Sequence, residues 1–495
     1  MRETDSFGEM RSLIMGEPGV QNWFRLTRVF SAFDVEEQRD AVIPYAKNHL
    51  NHKWPDAMRP IPAWVHKQKP QDHPWLSLCK TITIDEPVNQ TWVKNLLKYH
   101  DDLELTHFRL KNNSRWRNYQ DPKGVLTKIL GHRAFSKLRA LLLPDSIFQE
   151  DDDLLALLAL PTMHHLEELK NRNHRSLDFV NKLMEHPCMA TLKHLDLGSA
   201  MDANAMVQML NHPNCPRLRS ISPSATGLNV IEKMAGSPQM AELEYLSLYN
   251  QRIGNEGVQT LLNSEHTTNI RYLNIGGCGL NQDAYDIIAQ ARSAKHLELL
   301  WIWSCTTTPE GLDALLNSDN VPSLQRLNLN NNNMERRHFE VIQQSALWPQ
   351  IKSLYVNSSG FDSARLSILL ERDEVLALED FESTSGRLSE HNYRRLATHP
   401  GLGNLKRLHI SSTGIDDALI QNLKTSQTLK NLTYVSLAAE TNSLTDRLWP
   451  MNKRVSSGTY EAKRYRQFSD LCTHFDFNFD VELEHDLTFQ KQNTP

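Results

Sequence analysis

The chain has 495 residues, 40% hydrophobic and 23% charged, inside the ordinary range for soluble globular proteins. A formal net charge of -5 and a pI of about 6.5 leave no basic excess to neutralise a phosphate backbone, which argues against nucleic acid as a default partner. Six scattered cysteines with no CxxC pair argue against a disulfide framework or a structural zinc site, and no apolar run reaches signal-peptide or membrane-span length. The expected setting is a reducing cytoplasm with no membrane contact; secretion by a route without a signal peptide stays open.

Residues 1–75 lack any internal repetition. The stretch NWFRLTRVFSAFDVEEQRDAVIPYAKNHL reads as two helices, and WPDAMRPIPAWVHKQKPQDHPW as a Pro- and Trp-rich connection into a first strand. The expectation is a small helical cap, because a stack of repeats must cover its terminal units. A separate partner-binding or targeting module is the alternative.

From residue 76 to residue 440 one phrase recurs, L-x-x-L-x-L. It stands at Leu192/Leu195/Leu197, Leu243/Leu246/Leu248, Ile270/Leu273/Ile275, Leu324/Leu327/Leu329 and Leu405/Leu408/Ile410, with weaker copies between. From Leu243 its first position returns at 270, 297, 324, 351, 378, 405 and 432, a constant step of 27 residues. Upstream the spacing drifts through Leu166, Leu138, Leu105 and Cys79, for about 14 units in all. Within each unit the phrase alternates like a strand, and a second apolar pair at i, i+3 follows, as in Val258/Leu261 and Leu312/Leu315, marking one face of a short helix. Each unit is thus strand, turn, helix and return loop. Helices are ~10 Å wide and paired strands ~4.8 Å apart, so the stack must curve with the strands on the concave side.

This pattern resembles the leucine-rich-repeat family, in its ribonuclease-inhibitor-like class, over about residues 76–440. The resemblance implies an α/β solenoid, a horseshoe with a concave parallel β-sheet and convex helices, closed by a helical N-terminal cap and an α/β C-terminal cap. The ninth position of the family's unit usually carries Asn or Cys. Here it holds Gln251, Cys278, Cys305, Asn332, Ser359 and Thr413, whereas Gly386 and Ala200 depart from the pattern.

Residues 441–495 leave the repeat. After a polar break, Phe475, Phe477, Phe479, Val481 and Leu483 alternate with Asp476, Asn478, Asp480, Glu482 and Glu484, a strand with one apolar and one acidic face. An edge strand closing the sheet is the plain reading; pairing with a partner's sheet or holding a cation are the alternatives. A basic loop within RLKNNSRWRNYQDPKG carries Arg109, Lys111, Arg115 and Arg117 beside Trp116 and Tyr119; it reads as solvated, with an acidic or RNA partner as the alternative.

Alternate strand residues face opposite sides, so the x positions form three columns on the concave face. They run Tyr245, Tyr272, Leu299, Arg326, Ser353, Asp380, Arg407; then Ser247, Asn274, Trp301, Asn328, Tyr355, Glu382, His409; then Tyr249, Gly276, Trp303, Asn330, Asn357, Thr384, Ser411. Tyr245, Tyr249, Tyr272, Leu299, Trp301 and Trp303 fall on three consecutive strands and Tyr355 lies beyond them. They are expected to be exposed anchors, with Arg326, Asp380, Glu382, Arg407 and His409 as a mixed polar rim.

Catalytic motifs are missing: no GxSxG, P-loop, GxGxxG after a strand or HExxH occurs. The pairs His186-Pro187, His212-Pro213 and His399-Pro400 punctuate return loops. Cys278 and Cys305, one repeat apart, are expected to stack in the turn ladder, and Cys472 stands on a tail too short to be a ligase domain. The sequence therefore points to a non-catalytic scaffold that binds a protein on its concave face, without cofactor, metal or small-molecule substrate. A bacterial effector acting on a host protein through the same face, or an enzyme with an unrecognised site, are the alternatives.

Overall fold

The computed structural model describes residues 6–438, apart from 85–89, 112–120, 145–146, 173–175, 199–201, 224–226, 384–387, 412–425 and 433. The acidic C-terminal segment, Cys472, Arg115, Arg117, Trp116, Tyr119, Thr384, Thr413, Gly386 and Ala200 lie outside the described residues. Two compact units divide the chain between Leu218 and Arg219.

The first unit opens with helices Ser6–Met15, Val20–Phe30 and Ile43–Lys53. Indole rings build their core. Trp23 and Trp75 are fully buried, Trp23 donates from Nε1 to the Pro60 carbonyl at 2.8 Å, and Trp54 donates to Ile14 at 3.0 Å. The buried indole N–H groups of Trp23 and Trp54 thus each find a backbone acceptor. The backbone around Pro60 then runs beside β1 (Thr81–Ile84), with Ile61 N–H donating to Thr81 O at 2.9 Å. The helical segment thereby closes one edge of the sheet, which would otherwise present unpaired backbone groups. β2 (His107–Leu110), β3 (Ala140–Leu143), β4 (Glu168–Asn171) and β5 (His194–Asp196) follow in parallel, in chain order.

The second unit continues the same scheme with β6 (Ser220–Ile221), β7 (Tyr245–Ser247), β8 (Tyr272–Asn274), β9 (Leu299–Trp301), β10 (Arg326–Asn328), β11 (Ser353–Tyr355), β12 (Asp380–Ser383), β13 (Arg407–Ser411) and β14 (Tyr434–Ala438). The pairings are parallel, and from β7 onward they keep step with the 27-residue repeat: Leu246 stands beside Leu273, Leu273 beside Leu300, Leu327 beside Leu354. Side-chain caps start several helices, such as Thr308 Oγ1 accepting from Gly311 N–H at 3.1 Å and Asp362 from Arg365 N–H at 3.0 Å. The helices cover the face that carries the repeat leucines. Phe381 of β12 stands 5.5 Å from Phe361, which is 5.6 Å from Phe339 of helix Arg336–Gln344.

Strands β7 to β11 each leave through a left-handed residue. Asn250, Gly277, Ser304, Asn331 and Ser358 have φ of 56, 69, 52, 58 and 49°, one repeat apart. Asn and Gly tolerate this region at little cost. The ninth position then ties neighbouring rungs. Cys278 Sγ donates to Leu248 O at 2.9 Å, Asn332 Nδ2 to Ile302 O at 2.9 Å and Ser359 Oγ to Leu329 O at 2.7 Å. Burial pushes the thiols of Cys278 and Cys305 up to about 12, as suits structural rather than reactive sulfur. The His-Pro steps also do local work: Nδ1 of His186 accepts from Cys188 N–H at 3.3 Å and that of His399 from Gly401 N–H at 3.1 Å, opening a short 3-10 turn. Repeating strand–turn–helix units on a parallel sheet are the leucine-rich-repeat fold, with a helix in most units as the resemblance implied.

Candidate interaction face

Strand alternation sends one set of side chains to the helices and the other to the opposite, helix-distal face. In the second unit the registered rows are those expected from the repeat: Tyr245, Tyr272, Leu299, Arg326, Ser353, Asp380 and Arg407 stand side by side, as do Ser247, Asn274, Trp301, Asn328, Tyr355, Glu382 and His409.

Their exposure differs from expectation. Tyr245, Tyr272, Leu299, Trp301 and Tyr355 are buried, Trp301 to 3% exposure, and so are Asp380, Glu382 and His409. Tyr249, Trp303, Arg326 and Arg407 are partly exposed. One physical reason is lateral packing, since rungs ~4.8 Å apart bring each large side chain against its row neighbours. Tyr272 donates its hydroxyl to Glu298 at 3.1 Å, and Asn274 Nδ2 donates to Ser247 at 3.3 Å. Burial, then Glu298 beside it, push the Tyr272 hydroxyl well above the usual phenol range, so it stays a donor.

The expected polar rim is likewise an internal network. Tyr355 donates to Asp380 Oδ2 at 2.6 Å, and Arg407 donates to the same carboxylate at 3.1 and 3.2 Å. His409 lies 4.0 Å from Glu382, and Asn357 donates its amide to Glu382. Three rungs are thus locked by charge-assisted bonds.

One aromatic pair stays partly open. Tyr249 and Trp303, two rungs apart, tilt at 41° with ring centroids 5.1 Å apart. The rung between them carries Gly276, and the Trp303 indole lies against it. Any side chain at 276 would fill the space the indole uses.

Sequence reasoning missed a fourth row, the second residue of each L-x-x-L. In the second unit its charged members alternate in sign, and Arg219 pairs with Glu244 at 2.5 Å, Arg271 Nε with Glu298 at 2.9 Å and Lys406 with Glu379 at 3.1 Å. In the first unit Arg139 and Lys193 both reach Glu167, at 2.9 and 3.2 Å; burial works against its ionisation, but the two cations outweigh it and hold the carboxyl below its usual range. Half-exposed pairs of this kind contribute about 0–1 kcal/mol each. The alternation of sign at a fixed position was the readable signal. Arg219, Glu244, Arg271 and Glu298 line a groove of about 410 Å³ whose walls are these ion pairs, unlike the mostly apolar lining usual for small-molecule sites. Among the described residues no group of three or more His, Cys, Asp or Glu could hold a metal ion, and no helix is long and apolar enough to cross a membrane.

No protein-family model matches the sequence, and no curated protein matches it. Solved structures similar to the chain include one from the Rad7 and Elc1 complex in yeast, 14% identical over 86% of this chain and 93% of that one, TM-score 0.44. An internalin from Listeria monocytogenes is 13% identical over 74% and 83%, TM-score 0.31. TLR13 in its complex with ssRNA13 is 16% identical over 73% and 39%, TM-score 0.30. Likeness at this level says nothing of a shared partner.

Proposed function

We propose that this protein is a non-catalytic scaffold that binds a protein partner on the helix-distal face of its second unit, the face expected from the sequence to be concave, with Tyr249 and Trp303 as the anchor. The observation that carries this reading is the partly open aromatic pair seated on Gly276. Two tilted rings offer apolar area at small entropic cost, and such residues dominate binding energy at interfaces. Arg326, partly exposed on the next rung beyond β9, supplies a polar neighbour. The locked network of Tyr355, Asp380 and Arg407 supports the reading in another way, since a surface fixed in advance loses less freedom on binding.

The test is capture with the intact protein, identification of the partner by mass spectrometry and measurement of its affinity. Trp303→Ala is expected to weaken binding at least tenfold, about 1.4 kcal/mol. Glu256→Ala, on an exposed position of helix Gly254–Leu262, should change it less than twofold. Undiminished binding by Trp303→Ala would count against this face.

A further inference from the structure

Among the described residues, four return loops share one arrangement. In each, an imidazole Nδ1 stands within hydrogen-bond reach of the backbone N–H two residues ahead. His132 meets Ala134 and His212 meets Asn214, both at 3.2 Å, His186 meets Cys188 at 3.3 Å and His399 meets Gly401 at 3.1 Å. A backbone N–H can only donate, so each Nδ1 accepts, and each ring is neutral with its proton on Nε2. His399 commits both nitrogens, because its Nε2 donates to Leu370 O at 3.1 Å, 29 residues upstream.

Serine fills the same place in other repeats. Ser264 Oγ accepts from His266 N–H at 2.9 Å and Ser318 Oγ from Asn320 N–H at 3.1 Å, again two residues ahead. Their hydroxyls donate to Ala235 O and Ala289 O, again 29 residues upstream. A hydroxyl and a neutral imidazole thus perform the same two tasks. Only the imidazole takes up a proton between about pH 5 and 8, and a protonated Nδ1 turns a donor toward a donor.

The groups facing these rings pull both ways. His132 faces Arg133 and Asp101, and His186 faces His164 and the Cys188 thiol. His212 faces Glu185, and His399 faces Asp373 and Arg395. The three carboxylates favour a charged ring, but Asp101, Glu185 and Asp373 are 80, 70 and 82% exposed and water screens them. Burial, the largest influence at His132, His186 and His399, holds those rings below the ordinary imidazole value.

We propose that the four histidine-capped turns are acid-released latches: a proton taken up at Nδ1 expels the backbone N–H that the ring holds, and the turn opens, while turns capped by serine stay closed. A ring that the fold keeps neutral supports its turn fully above about pH 6.5 and withdraws that support as pH falls through the folded value. At His399 the release reaches further, because Gly401 also accepts from Leu376 N–H at 3.0 Å. Acid therefore loosens chosen rungs and spares their serine-capped neighbours. The latches depend in no way on Tyr249 or Trp303.

Hydrogen–deuterium exchange of the full chain tests this, read by mass spectrometry at pH 7.5 and pH 4.5 with labelling times scaled to the intrinsic amide rate. Peptides covering 132–136, 186–190, 212–215 and 399–402 are expected to lose protection at least fivefold at the lower pH, and so is Leu376. The serine-capped turn 318–321 should change less than twofold. An equal loss at 318–321, or none at the histidine turns, would overturn the proposal. His399→Ser installs the cap that Ser318 already uses. It should abolish the loss at 399–402 and leave that at 186–190; a loss that persists at 399–402 would overturn the proposal as well. Should His399→Ser not fold, the contrast between histidine and serine turns in the wild-type chain decides alone.

Discussion

The Trp303 indole lies against Gly276 so closely that a Cβ placed there would stand 2.0 Å from Nε1. A glycine is therefore required at 276 by the packing of a side chain one rung away, not by the turn that follows. Gly276→Ala is expected to push Trp303 off its seat and to lower unfolding free energy by about 1–3 kcal/mol, the usual range for overpacking. Urea unfolding with near-ultraviolet circular dichroism checks both effects. An unchanged aromatic spectrum would mean that Trp303 does not rest there.

Asp380 ties its own rung to both neighbouring rungs by accepting from Tyr355 and from Arg407. Tyr355→Phe should cost about 1 kcal/mol and Asp380→Ala about 2–3 kcal/mol, because the second change also leaves donors facing the gap. A double-mutant cycle on the pair should show coupling of about 0.5–1.5 kcal/mol. Strict additivity would place the bond outside the folded state's working contacts.

Asn332 serves three neighbours: it donates to Ile302 O at 2.9 Å and to the Tyr285 hydroxyl at 3.2 Å, and accepts from Cys305 N–H at 2.7 Å. Ser359, at the same position one repeat later, donates to Leu329 O and Asn357 O. Asn332→Ala is accordingly expected to cost more than Ser359→Ala, about 2–3 against about 1 kcal/mol. Equal losses in chemical denaturation would contradict this account of the ladder.

Acid should weaken the first unit through its buried histidines. Burial holds His107 down to about 4, and it holds His100 and His186 below the ordinary imidazole value. A folded-state pKa below the unfolded one means the fold favours the neutral ring. The associated stability is fully present above about pH 6.5 and is lost as pH falls through the folded values. Thermal unfolding between pH 7.5 and 4 should therefore show a melting temperature flat at the upper end and falling below it, with the fall reduced in His107→Asn. A melting temperature that rises on acidification would refute the assignment.

Much of the fold was legible because a repeat states its rule many times. The 27-residue step fixed which residues share a row, and Leu246, Leu273 and Leu300 stand in register as the spacing requires. Period-two alternation also assigned each residue its face. Exposure was not legible, because alternation gives direction and says nothing of what lies alongside or above. Trp301 and Tyr355 point to the expected face and are nevertheless buried. The left-handed turns at Asn250, Gly277, Ser304, Asn331 and Ser358 fall on the eighth position of the unit, where Asn, Gly and Ser take turns and no single residue type marks the bend. The sign alternation of Arg219, Glu244, Arg271 and Glu298 lies outside the leucine spacing, which constrains the apolar positions and leaves the second position free.

Hydroxyl-radical footprinting of the complex with the captured partner bears most directly on the proposed binding face. Modification of Tyr249 and Trp303 should fall at least threefold on binding, while Tyr99, exposed in the first unit, keeps its rate. Protection confined to the helices, with both rings modified as fast as in the free protein, would contradict the assignment.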